Sequence, residues 1–390
     1  MIALGARERG RHRLLVEPEE QFNSRTMAAI MVLATLQTGV LTLPARLAGL
    51  AGPDAWLATI AGAVVALAGA LVIGALAMRF PGQNLLQYLP ALLGKGPGMA
   101  LGLAYVGFWL LQAASVTRTS AETVKQFLLP STPLEVIIIY MLLVVIYLVQ
   151  AGIQPIARVA EILAPVVVLP VVAIILAALQ TVELTNLMPV LAEGIVPVVK
   201  GGLLMAGSFQ GMAAALMLAP FLRPPHKAPP AVASGVGLVA LLVTALMIEA
   251  LGAFGRETAR TLIWGTISLV KTVEIPTGFL DRFDILFVGF WVAVAFASLG
   301  IHYYLVSLGL ASLLGFRDHR AWVYPLLPLV YFLAMLPRNL AQVLAAEGGM
   351  ILLAAVFLYF LPISFFLLAR LMAGRGHRGE AGKEGKGDGA

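Results

Sequence analysis

The chain has 390 residues, of which 60% are hydrophobic and only 12% charged, and its formal net charge is +6. Soluble domains carry charge on roughly a quarter of their residues, so water is excluded as the main solvent. A bilayer core about 30 Å thick, crossed by roughly 20 apolar helical residues at a time, fits instead. The absence of cysteine excludes disulfides, thiolate chemistry and cysteine-ligated metals.

Residues 1–26 carry Arg7, Arg9, Arg11, Arg13 and Arg25 but no apolar run of signal-peptide length, so a retained cytoplasmic tail is expected there. Apolar stretches then predict about ten transmembrane helices, at 27–51, 55–78, 98–127, 134–150, 156–180, 196–221, 230–254, 281–313, 322–337 and 349–371. They are long continuous runs, unlike the alternating segments of a barrel. With both termini inside, 17 Lys and Arg fall on the cytoplasmic side and five on the other, a strong positive-inside bias. The basic excess is therefore read as a topology signal, with no nucleic-acid partner. Between spans seven and eight, Leu262, Ile263, Ile267, Val270 and Val273 keep a helical period and predict an interfacial or capping helix. The tail at 372–390 is rich in Gly, Lys, Arg and Glu, cannot bury apolar area and is expected to be disordered.

Two spans contain helix breakers at mid-membrane depth. The first has Gly39-Val40-Leu41-Thr42-Leu43-Pro44 after the polar pair Gln37-Thr38, and the sixth has Gly207-Ser208-Phe209-Gln210-Gly211. Proline lacks an amide proton and glycine tolerates unwound backbone. Such a break persists in lipid only where protein or a wet cavity satisfies the freed groups. Either break alone reads as ordinary close packing by small residues. Their recurrence five spans apart points instead to an inverted repeat of five plus five helices, 27–180 and 196–371, with a ligand at the midplane.

The expected ligand residues are Thr38, Gly39 and Val40 in the first break and Ser208, Phe209, Gln210 and Gly211 in the second. Backbone amides and hydroxyls suit a carboxylate, while carbonyls and Gln210 suit an ammonium. Phe209 reads either as a gate or as packing. Tyr105, Trp109 and Gln112 in span three and Trp291 and Ser298 in span eight are candidate pocket walls. Arg158 and Glu161, three residues apart at the start of span five, form either an inner gate or a self-neutralising pair. Arg118 and Glu122 read as a local pair, Lys200 as a snorkelling side chain, and His302 as a hydrogen-bonded core histidine. Glu249 lies either at the outer headgroups or beside a buried partner. No metal, cofactor or nucleophile motif is visible, so an enzyme is not expected.

Several motifs, in order, resemble one family. Gly39 to Pro44 is joined by Gly52-Pro53-Asp54-Ala55-Trp56, Phe80-Pro81-Gly82 with Gly94-Lys95, and Leu129-Pro130-Ser131-Thr132-Pro133. Gly152 with Ala157-Arg158-Val159-Ala160-Glu161, and Leu280-Asp281-Arg282-Phe283-Asp284 before Trp291, continue the series. The set resembles the B subunits of GerA-type spore germinant receptors, a branch of the amino acid–polyamine–organocation transporter superfamily. It departs at Met212, where members often carry a carboxylate, and at Asp281-Arg282, which stands for Glu-Arg. The resemblance implies an all-α, LeuT-like membrane protein, with helices 1 and 6 unwound, that senses a small germinant, most often an amino acid. It also implies an A-type subunit and a lipid-anchored C-type subunit as partners, the inner membrane of a bacterial spore, and termini on the core side. A stand-alone ion-coupled amino acid transporter is the alternative, and an assembly subunit with a vestigial pocket is a third reading.

Overall fold

The computed structural model describes residues 20–36, 39–272 and 283–384, and among them every regular element is helical. Asn23 caps α1 (Ser24–Thr35), its side chain accepting from the amides of Arg25 and Thr26 at 2.8 and 3.1 Å. After the break comes α2 (Gly39–Ala51), and Gly52, at φ +58°, turns the chain into α3 (Ala55–Arg79). Asn84 and Gln87 form a capping box at the head of the short α4 (Leu85–Leu93). α5 (Lys95–Phe127), α6 (Leu134–Gln150) and α7 (Ile153–Ala178) complete the first half.

The second half opens with another broken pass. α8 (Ile195–Gly207) gives way to a 3-10 turn at Gln210–Ala213 and the short α9 (Ala214–Leu218), with a 47° bend between the two sections. α10 (Ala228–Ala259), α11 (Gly265–Thr272), α12 (Phe283–Leu314), α13 (Arg320–Met335) and α14 (Leu340–Ala354) follow. A π-helical turn at Ala355–Phe360 then leads into α15 (Leu361–Glu384).

Among the described residues, six helices are long and apolar enough to cross a membrane, and the bent pair makes a seventh. The first of the six joins α2 and α3 into one stretch, Leu41–Arg79. Ser24–Thr35, Leu134–Gln150 and Arg320–Met335 are apolar but shorter. A count of ten requires reading α1 with α2 as two halves of one pass and α6 and α13 as complete short passes.

Small residues let the helices close on each other, as expected where lipid offers no hydrophobic drive. A Cβ on Gly62 of α3 would stand 2.6 Å from the Gly202 carbonyl oxygen of α8, and one on Gly74 would stand 2.4 Å from the Pro229 Cα of α10. The two halves interleave, with α3 packed on α8 and α10, α5 on α12, and α1 on α7, α10 and α12.

Three points bear on the sequence expectations. The last pass begins at Leu340, not 349, because the carboxylate of Glu347 is matched by Arg46 and the helix can carry it. α11 lies between spans seven and eight as expected, and because Ile267, Leu269 and Val270 are buried it fits the capping alternative, while Val273 lies outside the described residues. Helix α15 continues to Glu384, into the tail expected to be disordered, where only the backbone bonding of a helix is described.

Candidate functional site

At the end of α1 the Leu36 amide still donates to the Val32 carbonyl at 2.7 Å. Gln37 and Thr38 lie outside the described residues, and Gly39 and Val40 open α2, where the first amides of a helix have no intrahelical acceptor. In the other broken pass, Ser208 and Phe209 separate α8 from the 3-10 turn. The Ser208 hydroxyl donates back to the Leu204 carbonyl at 3.0 Å, and Phe209 is buried.

The two breaks touch. A Cβ on Gly211 would stand 2.1 Å from the carbonyl carbon of Ala34 and 2.5 Å from the amide nitrogen of Thr35. Glycine at 211 is therefore what allows the 3-10 turn to lie directly on the end of α1. Gln112 Nε2 of α5 donates to Gln210 Oε1, bringing a third element to the same point. The Thr35 hydroxyl and the Trp109 indole N–H are buried there or nearby on α5, and neither has a hydrogen-bond partner among the described residues. Since roughly nine in ten or more buried polar groups are bonded, both are candidate ligand contacts.

Tyr105 and Trp109 stand side by side, ring centroids 5.6 Å apart, and the Tyr105 hydroxyl donates to the Phe357 carbonyl at 2.8 Å. Phe357 belongs to the π-helical turn and meets Tyr105 edge-on at 4.9 Å. From the same turn the Tyr359 hydroxyl donates to the Ala206 carbonyl at 2.7 Å, two residues before the break. Trp291 stacks on Phe287, while Ser298 Oγ lies 3.4 Å from His302 Nδ1. Among the described residues, no hydrogen bond ties Trp291 or Ser298 to either break.

Among the described residues, contacts join the helices on both sides of this region. On the side of the N-terminus, the Phe22 amide donates to the Phe221 carbonyl and the Arg223 amide to the Phe22 carbonyl, each at 2.9 Å, while the Phe22 and Phe221 rings stack. Gln154 of α7 donates to the Gln21 carbonyl at 3.0 Å, and the Thr26 hydroxyl donates to Glu161. Of the expected pair, then, Glu161 joins α7 to α1, whereas Arg158 is exposed and forms no ion pair with it among the described residues.

On the opposite side Arg46 of α2 pairs with Glu347 of α14 at 2.7 Å and also donates to the Leu344 carbonyl at 2.8 Å. The Thr119 hydroxyl of α5 donates to the other Glu347 oxygen at 2.8 Å, and Thr42 also bonds this carboxylate. Beside this cluster a cavity of about 190 Å³ is lined by Thr42, Arg46, Arg260 and Ile263, and both guanidinium groups are paired, Arg46 with Glu347 and Arg260 with Glu257 at 2.8 Å. Sequence reasoning missed Arg46, Glu347, Thr119 and Thr35 as site residues. The available signal was Arg46 within the first expected span, which requires a compensating partner, whereas Glu347 fell just outside the expected last span at 349–371.

Other singled-out residues have structural surroundings. Arg118 pairs with Glu122 at 2.9 Å, Lys200 is exposed on α8, and His302 Nδ1 lies 2.8 Å from the Ser298 carbonyl. Glu249 is buried, and neither carboxylate oxygen has a partner among the described residues. Asp281 and Arg282 lie outside the described residues.

The family of spore germination proteins matches residues 21–343. The chain belongs to it. Spore germination protein YndE of Bacillus subtilis (strain 168) is 29% identical over 357 residues, 91% of this chain and 98% of that protein. Spore germination protein A2 of the same organism is 29% identical over 350 residues, 88% and 95% of the two chains. GerLB of Bacillus cereus is 25% identical over 325 residues, 83% and 87% of the two.

Among solved structures, MhsT in complex with L-phenylalanine aligns over 90% of this chain and 95% of its own, with TM-score 0.67 and 14% identity. Mhp1, a nucleobase-cation-symport-1 family transporter, aligns over 89% and 79% with TM-score 0.65 and 14% identity. Identity that low speaks for the fold: the LeuT-like architecture, with the first and sixth passes broken, is that of this family member. The spore germination protein is thus an integral membrane helix bundle on a transporter scaffold.

Proposed function

We propose that this germination protein is the membrane subunit of a nutrient-germinant receptor, and that it binds an amino acid between its two broken helices. The observation that carries the reading is the contact of Gly211 with Ala34 and Thr35, with Gln210 held by Gln112 beside it. Separation of the two breaks would free the amides that open α2, the Thr35 hydroxyl and the Gln210 amide, a donor and acceptor set that suits a zwitterion.

The repeats are taken as 27–180 and 196–371, the site as midway across the spore's inner membrane, and both termini as facing the core. A-type and C-type receptor subunits are the proposed partners. Binding would act by favouring one arrangement of the two closures over another, since a ligand shifts an equilibrium only by its differential affinity. Spores carrying Gln210→Ala or Thr35→Val test this: each should require a higher germinant concentration for half-maximal response. Unchanged dose–response curves in both would refute the pocket.

The transporter fold supports a second reading, ion-coupled amino acid uptake by this subunit alone. Accumulation of a radiolabelled amino acid in proteoliposomes containing only this chain would favour it over the receptor.

A further inference from the structure

Tight packing leaves few large voids in a folded protein, yet a half-open cavity of about 600 Å³ lies between α5, the end of α13 and α14. Ser115 and Arg118 line it from α5, and Ala346, Gly349 and Met350 from α14. Its size is within the range of small-molecule sites, about 300–1,000 Å³, but its walls are almost wholly aliphatic. The rim is formed by outward-facing side chains, Leu336 at 54% and Leu352 at 75% exposure. α5 and α14 both belong to segments that qualify as membrane spans, so the mouth of the cavity opens toward lipid.

We infer that this cavity is a lipid site that takes one acyl chain of a bilayer phospholipid. The single charged group in the wall does not call for a charged ligand. Arg118 is neutralised by Glu122 at 2.9 Å and also donates to the Ala334 carbonyl at 3.3 Å. What remains is apolar surface that water would cover poorly and that hydrocarbon would fill by dispersion. The site adjoins the Glu347 closure in sequence as well as in space. Arg118 precedes Thr119, and Ala346 precedes Glu347, so a chain seated there braces both helices that carry the Glu347 cluster.

Gly349 supplies the test, because nothing lies within 4 Å of where its Cβ would stand, so a larger side chain enters open space. The full chain is reconstituted in phosphatidylethanolamine–phosphatidylglycerol vesicles containing a phosphatidylglycerol with a diazirine-tagged acyl chain, then irradiated and peptide-mapped. The wild type should be labelled at Ser115 and Met350. In Gly349→Leu and Ala346→Leu that labelling should fall about tenfold, equivalent to about 1.4 kcal/mol of lost preference. Labelling of Tyr147, 83% exposed on α6, should stay unchanged and shows that the variants are inserted and folded. Cavity labelling equal in wild type and both variants overturns the proposal. So does a parallel arm in which only a diazirine-tagged free fatty acid, and no phospholipid, labels the cavity.

Discussion

The two closures of the molecule are built from different materials. Toward the N-terminus, main-chain hydrogen bonds between Phe22 and residues 221–223, one ring stack and a hydroxyl–carboxylate bond hold α1, α7 and the end of the sixth pass together. On the opposite side one carboxylate, Glu347, gathers Arg46, Thr119 and Thr42 from α2 and α5. The first closure is a set of individually weak and replaceable contacts, each net interaction worth about 0.5–1.5 kcal/mol. The second depends on a single ion pair, whose loss leaves a charge stranded among apolar helices. Removal of one contact should therefore weaken the first only in part, whereas removal of Glu347 should disrupt the second as a unit.

The largest effect should come from breaking that pair. Glu347→Ala leaves the Arg46 guanidinium without its carboxylate, and removal of one partner of a buried pair costs about 3–5 kcal/mol. Arg46 keeps 19% of its side-chain surface exposed, which puts the expected loss at the low end. Thermal unfolding of the purified protein should show it, and Arg46→Met with Glu347→Leu should recover most of the loss. If the double variant is no better than the single, the pair is not what closes this side.

A middle-sized effect is expected at the contact between the breaks. Gln210→Ala leaves the Gln112 amide buried and unpaired, at a cost of about 1–3 kcal/mol. Thr26→Val should weaken the closure toward the N-terminus by about 1.5 kcal/mol, the low end for a bond to a carboxylate because Glu161 is exposed, read as faster hydrogen exchange at the Phe22 and Arg223 amides with little change in melting temperature. Equal stability losses in Thr26→Val and Glu347→Ala would erase the contrast between the two closures.

The smallest effect concerns pH and His319, between α12 and α13. Burial lowers its pKa, outweighing the hydrogen bond to the Val149 carbonyl at 3.0 Å and the nearby Asp318. A folded pKa below the unfolded value means the unfolded chain takes up the proton first. Stability should therefore be full above the usual histidine value of about 6.5 and decline as pH falls below it. His319→Asn should flatten that decline, measured as melting temperature against pH.

Much of the fold was legible because its signals are local. Breakers such as Gly207 with Gly211 act on their own turn of helix, and span lengths follow from runs of apolar residues, whereas Pro44, expected in the first break, lies inside α2, which opens at Gly39. The touching of the breaks was legible only as symmetry. The need for glycine at 211 depends on Ala34 and Thr35, which no local window contains. The Glu347 closure was hidden for a related reason. Arg46 and Glu347 are 301 residues apart, and each, read alone, looks like an end-of-helix charge. Glu347 with Gly348-Gly349 also moved the expected start of the last pass from Leu340 to 349. Arg158 and Glu161 were paired by spacing, but the packing of α1 on α7 gave Glu161 to Thr26.

The central claim is that a small amino acid binds where the two broken helices meet. The direct measurement is a thermal-shift screen of the twenty L-amino acids on the purified chain in lipid nanodiscs, followed by equilibrium binding of the best one in tritiated form. Because a ligand that binds only the native state raises its stability, at least one amino acid should raise the melting temperature of the wild type. The same amino acid should bind Gln210→Ala at least about tenfold more weakly, a loss of about 1.4 kcal/mol. No shift with any of the twenty, or undiminished binding in a folded Gln210→Ala, would contradict the claim.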